Sequence, residues 1–270
     1  MTKLLMQSAR AYLVFLAYLA IVVLFLLLIP VRTMADETAK DDEKWTPLFD
    51  GKTLDGWSVS KLDADKTVEI RDGYIVVGGD DLASGIKYDK PDKEFPTSNY
   101  EIMYQAKRAK GYDFFGTITF PVKESHCSFV AGGWSGSVIG LSSINGYDAS
   151  ENETTAFYVF KDKQWYQFRV RVSDDRITVW CYPVGEDGKM IEPDKDDSKA
   201  AAVPPESERP KVNLVLKDKR LTTRLEVTFF KPLGISTWNT VGHIRDIKYR
   251  ELTPEEIEEI KQLPDDSQWD

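Results

Sequence analysis

Most of this chain alternates. Between residues 67 and 250, apolar and polar side chains swap with period two in one short segment after another. That is the pattern of a half-buried β-strand, whose successive side chains point to opposite faces. The segments are Thr67–Arg71, Tyr74–Gly78, Tyr100–Ala106, Phe114–Val122, His126–Ala131, Ser137–Leu141, Phe157–Phe160, Trp165–Ser173, Arg176–Tyr182, Val212–Leu216, Arg224–Phe230 and His243–Arg250. Turn signals separate them. Such a series predicts an all-β chain folded as a sandwich or jelly roll. It has no βαβ spacing, P-loop, GxGxxG or HExxH motif.

Two hairpins can be read in detail. Asp72-Gly73 between the first two segments is a tight-turn signal. Further on, Phe168, Val170 and Val172 alternate with Gln167, Arg169 and Arg171. If Val172 faces Ile177 across the Ser173–Arg176 turn, Arg169 faces Trp180 and Phe168 faces Cys181. One face is then core. The other carries Gln167, Arg169, Arg171 and Trp180. It is either a solvated face with a cation–π pair or the floor of a sugar-binding groove, where Trp180 stacks on a ring and the arginines bond hydroxyls.

The ends of the chain differ from its middle. Lys3 and Arg10 precede an uncharged apolar run over residues 11–31, and Thr33 and Ala35 place small residues before Asp36. Residues 1–35 therefore read as a signal peptide, or as an uncleaved N-terminal apolar helix anchoring the chain in a membrane. Both readings export the remainder to the periplasm or cell surface. The net charge is −9 and becomes −12 without Lys3, Arg10 and Arg32. With no basic cluster, a nucleic-acid partner is not expected.

Residues 36–44 are a charged leader, 45–252 the β domain and 253–270 a short C-terminal helix and tail. The helix should start at Thr253, with Pro254 in the first turn. Residues 185–211 are polar and Pro-rich and read as a long surface loop. Two cysteines, Cys127 and Cys181, are either a disulfide or two buried thiols. With only His126 and His243, a His-rich zinc site is not expected.

One stretch looks presented rather than buried. Residues 126–160 hold a Gly132–Gly136 turn between two strands, followed by an acid and amide loop over 142–155. Trp134 in the turn is either a sugar-stacking platform or a core anchor, and Trp238 is similar. Asp113 either lines the same groove or caps a turn.

LFDGKTLDGW near the domain start resembles the opening signature of the 3-keto-disaccharide hydrolase domain family, in the concanavalin A-like lectin/glucanase superfamily. VGHIRDIKYREL resembles its final strand. The central block from Tyr112 to Thr154 resembles a subgroup common in planctomycete-type bacteria. The resemblance spans about residues 45–252. It implies a concanavalin A-like jelly-roll β-sandwich and a carbohydrate partner. The Glu-x-Asp-x-x-Glu or Glu-x-Asp-x-Glu string of the superfamily's glucanases is absent.

The candidate chemistry follows from that. On a strand, Glu151 and Glu153 would share a face with Cα atoms about 7 Å apart, a glycosidase-like carboxylate pair. Asp148 joins them from the preceding loop, and Asn152 lies between them. A 3-keto sugar allows another route, since its ketone acidifies the neighbouring C–H and a general base can drive elimination, with water adding afterwards. His126 is a candidate second member. The same loop also reads as a plain Asx turn, or as a Ca²⁺ site using Asp148, Glu151 and backbone carbonyls. The expected function is an exported hydrolase of 3-keto-glycosides. The alternatives are a non-catalytic carbohydrate-binding module at the cell surface and a structural envelope domain.

Overall fold

The computed structural model describes residues 45–61, 68–79, 83–89, 95–191 and 211–264. The apolar run 11–31, the leader 36–44 and most of the 185–211 loop lie outside them. In chain order the strands are β1 (Thr46–Pro47), β2 (Trp57–Lys61), β3 (Glu69–Arg71), β4 (Tyr74–Gly79) and β5 (Ser84–Tyr88). Then come β6 (Tyr100–Gly111), β7 (Thr117–Val122), β8 (Ser125–Gly132), β9 (Val138–Ser142) and β10 (Ala156–Phe157). The rest are β11 (Trp165–Val172), β12 (Arg176–Val184), β13 (Val212–Val215), β14 (Gly234–Thr237) and β15 (Thr240–Glu251). Every pairing is antiparallel.

They form two sheets, as the alternation predicts. The first runs β13-β12-β11-β6-β15-β4-β3, with β1 added beside β15. The second runs β10-β9-β8-β7-β14-β5-β2. The sheets pack face to face as a jelly-roll sandwich. Inward residues of the first, such as Ile102, Tyr104, Phe168, Val170 and Ile177, meet Ile118, Phe120, Phe129 and Leu141 of the second. Tyr104 stacks on Phe168 with centroids 5.2 Å apart. The hydroxyls of Tyr100 and Tyr104 donate to the carbonyls of Pro121 and Gly116 at 2.7 and 2.5 Å, so two core side chains satisfy backbone groups of the facing layer.

Both hairpins have the predicted register. Arg71 pairs with Tyr74 across Asp72 and Gly73, whose φ angles of 49° and 83° are left-handed. Val172 pairs with Ile177, Arg169 with Trp180 and Phe168 with Cys181. The opening signature acts as a staple. Leu48, Phe49 and Trp57 are buried, Trp57 Nε1 donates to Leu48 O at 2.7 Å, and Asp50 accepts from the Lys52 and Thr53 amides. The C-terminal helix α1 (Pro254–Lys261) starts at Thr253 with a full capping box to Glu256.

Some expectations fail. Arg224–Phe230 is not a strand, since Leu225–Phe230 is a 3₁₀ turn. Its buried residues Val227 and Phe230 are three apart, while Leu225 and Phe229 are exposed, so burial decided against the period-two pattern. Of residues 157–160 only Phe157 is in a strand, as the end of β10. Cys127 and Cys181 are buried thiols with no disulfide between them.

On the outer face of the first sheet lies a fully buried carboxylate, Glu101. Arg169 and Arg171 reach its Oε1 at 2.7 and 2.6 Å, and Arg250 reaches Oε2 at 2.7 Å. Arg250 also holds Glu256, tying α1 to the sheet. Burial pushes the Glu101 carboxyl up, but the three guanidiniums outweigh it and hold it below the usual carboxylate range. Its stabilising effect is therefore present above the unfolded-state pKa and lost as pH falls through the lower folded value. Glu101→Gln leaves three arginines short of their counter-ion and should cost about 3–5 kcal/mol. Urea unfolding of the two proteins measures this, and the stability difference between them should shrink on acidification only at and below the usual carboxylate range.

Candidate active site

The same alternation that builds the core equips the outer face of the second sheet. Ile118, Phe129 and Leu141 point inward, so Thr117, Thr119, Ser128, Val130 and Ser142 point out. Thr117, Ser128, Val130 and Ser142 floor a pocket of about 230 Å³. Its walls are Phe114, Trp134, Val227 and Trp238, and Asp113, Arg224 and Glu226 supply its charge. Apolar walls with a few convergent polar groups are the usual make-up of a small-molecule site.

Arg224 is the hub. Its Nη1 donates to Asp148 Oδ2 at 3.0 Å, and its Nε and Nη2 reach the two oxygens of Glu226 at 3.3 and 3.2 Å. The guanidinium also lies 5.7 Å from the Trp134 ring centroid. Asp148 is held from behind by the hydroxyls of Ser142 and Ser143 at 3.3 and 3.1 Å. Burial pushes the Glu226 carboxyl up, but its own backbone amide and Arg224 prevail and keep it below the usual carboxylate range. It is ionised at neutral pH.

Trp134 is presented, not buried. It is 39% exposed. Gly132, Trp134, Ser135 and Gly136 all have left-handed φ, at 78°, 47°, 70° and 107°. For the two non-glycine residues this conformation costs about 1–2 kcal/mol each. Asp113 lines the pocket and also caps the turn. Its Oδ1 accepts from the Phe114 amide at 2.8 Å and its Oδ2 from the Ser135 amide at 3.3 Å.

Of the residues singled out from sequence, Trp134, Trp238 and Asp113 line this pocket, and Asp148 reaches it through Arg224. Glu151 and Glu153 are not on a strand. They lie in consecutive turns, with the Glu151 amide bonded to Asp148 O and the Thr155 amide to Asn152 O. Glu151 is exposed, and Glu153 pairs with Lys219 at 2.6 Å. Asn152 is a loop staple: its Nδ2 donates to the carbonyls of Leu141, Tyr147 and Asp148, and its Oδ1 accepts from Thr154. Of the side chains a calcium reading would use, Asp148 is bonded to Ser142, Ser143 and Arg224. Among the described residues, no three His, Cys, Asp or Glu side chains converge. His126 shares the outer face with Ser128, and its Nε2 is buried without a hydrogen-bond partner. Burial and nearby Lys231 lower its pKa, so the ring is neutral at neutral pH.

Arg169, Arg171 and Trp180 sit on the other sheet. Both arginines are committed to Glu101, and both flank the Trp180 ring, at 5.0 and 5.1 Å. The solvated-face reading fits this arrangement better than a groove floor.

Arg224 and Glu226 were missed because the sequence around them imitates a strand. The available signal was Pro232, which is unfavourable for a strand continuing beyond them.

The model of the 3-keto-alpha-glucoside-1,2-lyase-like domain family matches residues 44–220, more than half of the chain. The chain belongs to that family. The match contains Asp113, Trp134 and Asp148 and ends before Arg224, Glu226 and Trp238, so this lyase-like domain completes its pocket with residues beyond the matched span. No curated protein sequence matches the chain. Among solved structures, Crh5 transglycosylase in complex with NAG is 12% identical, with a TM-score of 0.44 and coverage of 78% of this chain and 84% of that one. Domain 4 of AbnA, an arabinanase from Geobacillus stearothermophilus in complex with arabinotriose, is 15% identical, with a TM-score of 0.39 and coverage of 76% and 88%. The exoplasmic/lumenal domain of VIP36, bound to Ca²⁺ and Man3GlcNAc, is 12% identical, with a TM-score of 0.44 and coverage of 79% and 92%. At these values the likenesses carry nothing about the site.

The loop staple has a measurable consequence. Asn152→Ala leaves several loop groups unbonded and should cost about 1–3 kcal/mol. Thermal unfolding checks it, and Glu151→Ala is the comparison expected to change little.

Proposed function

We propose that the protein cleaves 3-keto-glycosides by base-driven elimination in the pocket of the second sheet. Membership of a family described as 3-keto-alpha-glucoside-1,2-lyase-like supports the substrate class. The observation that carries the reaction type is Arg224 held between two carboxylates, with Glu226 lining the pocket beside it.

A C3 ketone acidifies the C2–H bond. Glu226, ionised at neutral pH, takes the C2 proton. The electron pair forms the C1–C2 double bond as the C1–O bond breaks, and the proton passes from Glu226 to the leaving oxygen. Negative charge builds on the ketone oxygen in the transition state, where the Arg224 guanidinium can meet it. Asp148 fixes Arg224 from the other side. Water adding to the enone makes the net change a hydrolysis. Trp134, Phe114 and Trp238 offer stacking faces for the sugar ring.

Those aromatic walls also favour a second reading, a carbohydrate-binding module without catalysis. The basic and then apolar N-terminus supports export, with residues 11–31 as a cleaved signal or as an anchor.

Purified protein incubated with 3-keto-trehalose should release glucose, and unmodified trehalose should survive. Glu226→Gln should lower kcat/KM by about 10²–10⁴-fold. Arg224→Met should lower it by about 10²–10³-fold. Because the Glu226 pKa is lowered, the acid limb of the pH profile should lie below the usual carboxylate range. Full turnover in Glu226→Gln would sink the assignment. Saturable sugar binding with no turnover in the wild type would favour the module.

A further inference from the structure

The Gly132–Gly136 turn is held in place from both sides. Its four left-handed residues put Trp134 at the pocket wall, facing Arg224. Apolar burial does not explain a tryptophan there, since the ring is partly open to solvent. On one side, the Asp113 carboxylate accepts the Ser135 amide, next to Trp134 in the chain. Asp113 is itself fixed by Thr240, whose Oγ1 accepts from the Asp113 amide at 3.0 Å and donates to its carbonyl at 3.1 Å. On the other side, buried Arg108 donates to Gly136 O at 3.4 Å and to Phe160 O at 3.0 Å, and its Nε binds Asp162 at 2.7 Å. A side chain at position 136 would meet Arg108 Nη1 and Tyr112 O, both at 2.8 Å, so the backbone fits closely there as well.

We infer that Asp113 is a positioning residue that acts through Trp134. It holds the strained turn so that the indole stays against Arg224 at the pocket wall, where its exposed part can meet a pyranose ring while Arg224 meets an oxygen of that ring. Left-handed tryptophan and serine would otherwise relax toward ordinary backbone regions. The amide–carboxylate bond at Ser135 opposes that relaxation. The role of Asp113 in sugar affinity rests on the reading of the pocket as a sugar site; its role in holding the indole does not.

Two measurements on the full chain test this. In the first, the seven tryptophans are labelled with 5-fluorotryptophan, and the Trp134 ¹⁹F resonance is assigned by its loss in Trp134→Phe. Asp113→Ala should shift or broaden that resonance and leave the other six in place. Asp113→Asn retains one amide acceptor and should do so less. An unmoved Trp134 signal in Asp113→Ala overturns the proposal. If Asp113→Ala fails to fold, Asp113→Leu, which also removes both acceptors, decides by the same criterion.

The second is a double-mutant cycle on turnover of 3-keto-trehalose. Asp113→Ala should raise KM about tenfold with kcat nearly unchanged, the signature of lost uniform binding. The Asp113→Ala/Trp134→Ala double variant should match Trp134→Ala alone, because one residue acts through the other. Additive effects would make Asp113 a direct sugar ligand and overturn the positioning role. Absence of turnover and of sugar binding in the wild type would count against the proposed function, and the ¹⁹F result would still decide the positioning.

Discussion

The packing of the two sheets over Tyr104, Phe168 and Phe129 is the contact on which the rest depends. It requires one face of every strand to be apolar, and this frees the other face for polar work. On the second sheet, the residues left facing out are Thr117, Ser128 and Ser142, a row of hydroxyls across three adjacent strands. The pocket is thus a by-product of the core, floored by what the core does not use. The first sheet uses its outer face differently, burying Glu101 among arginines and fastening the C-terminal helix there.

The pocket charge is economical. One guanidinium contacts two carboxylates and an indole, and those groups come from loops far apart in the chain. Asp148 belongs to the loop after β9, Arg224 and Glu226 to the 3₁₀ turn before β14, and Trp134 to the turn between β8 and β9. The sandwich brings these loops to one side. A carbonyl in the pocket that drew hydrogen bonds from Arg224 would draw them from Glu226. That carboxylate would then become more basic as its proton acceptor role began.

Much of the fold was legible from side-chain alternation alone. The Trp165–Val184 hairpin was readable to the residue, because Phe168, Val170 and Val172 fix which face is core and the four-residue turn fixes the pairing. The Thr253 cap was legible because Thr, Pro and Glu each do a separate job in a first turn. The site was much less so. RLEVTFF alternates convincingly, yet Val227 and Phe230 bury together only as a turn, a preference set by the surrounding core rather than by the segment. Glu151 and Glu153 drew attention as a carboxylate pair, but pairing needs a strand, and Asn152 bonds the backbone into turns. Arg169, Arg171 and Trp180 were placed correctly relative to one another. What the sequence did not reveal was Glu101, five strands before the arginines, which pairs with both of them.

The two cysteines add a last point. Burial pushes the Cys127 thiol up to about 12, so almost none of it is thiolate, the form that reacts with oxidants. Cys181 is just as deeply enclosed, on the opposing layer. The described sandwich closes with aliphatic and aromatic side chains, tyrosine hydroxyls and ion pairs. No covalent bond between the layers is part of that closure, so reducing conditions leave it intact.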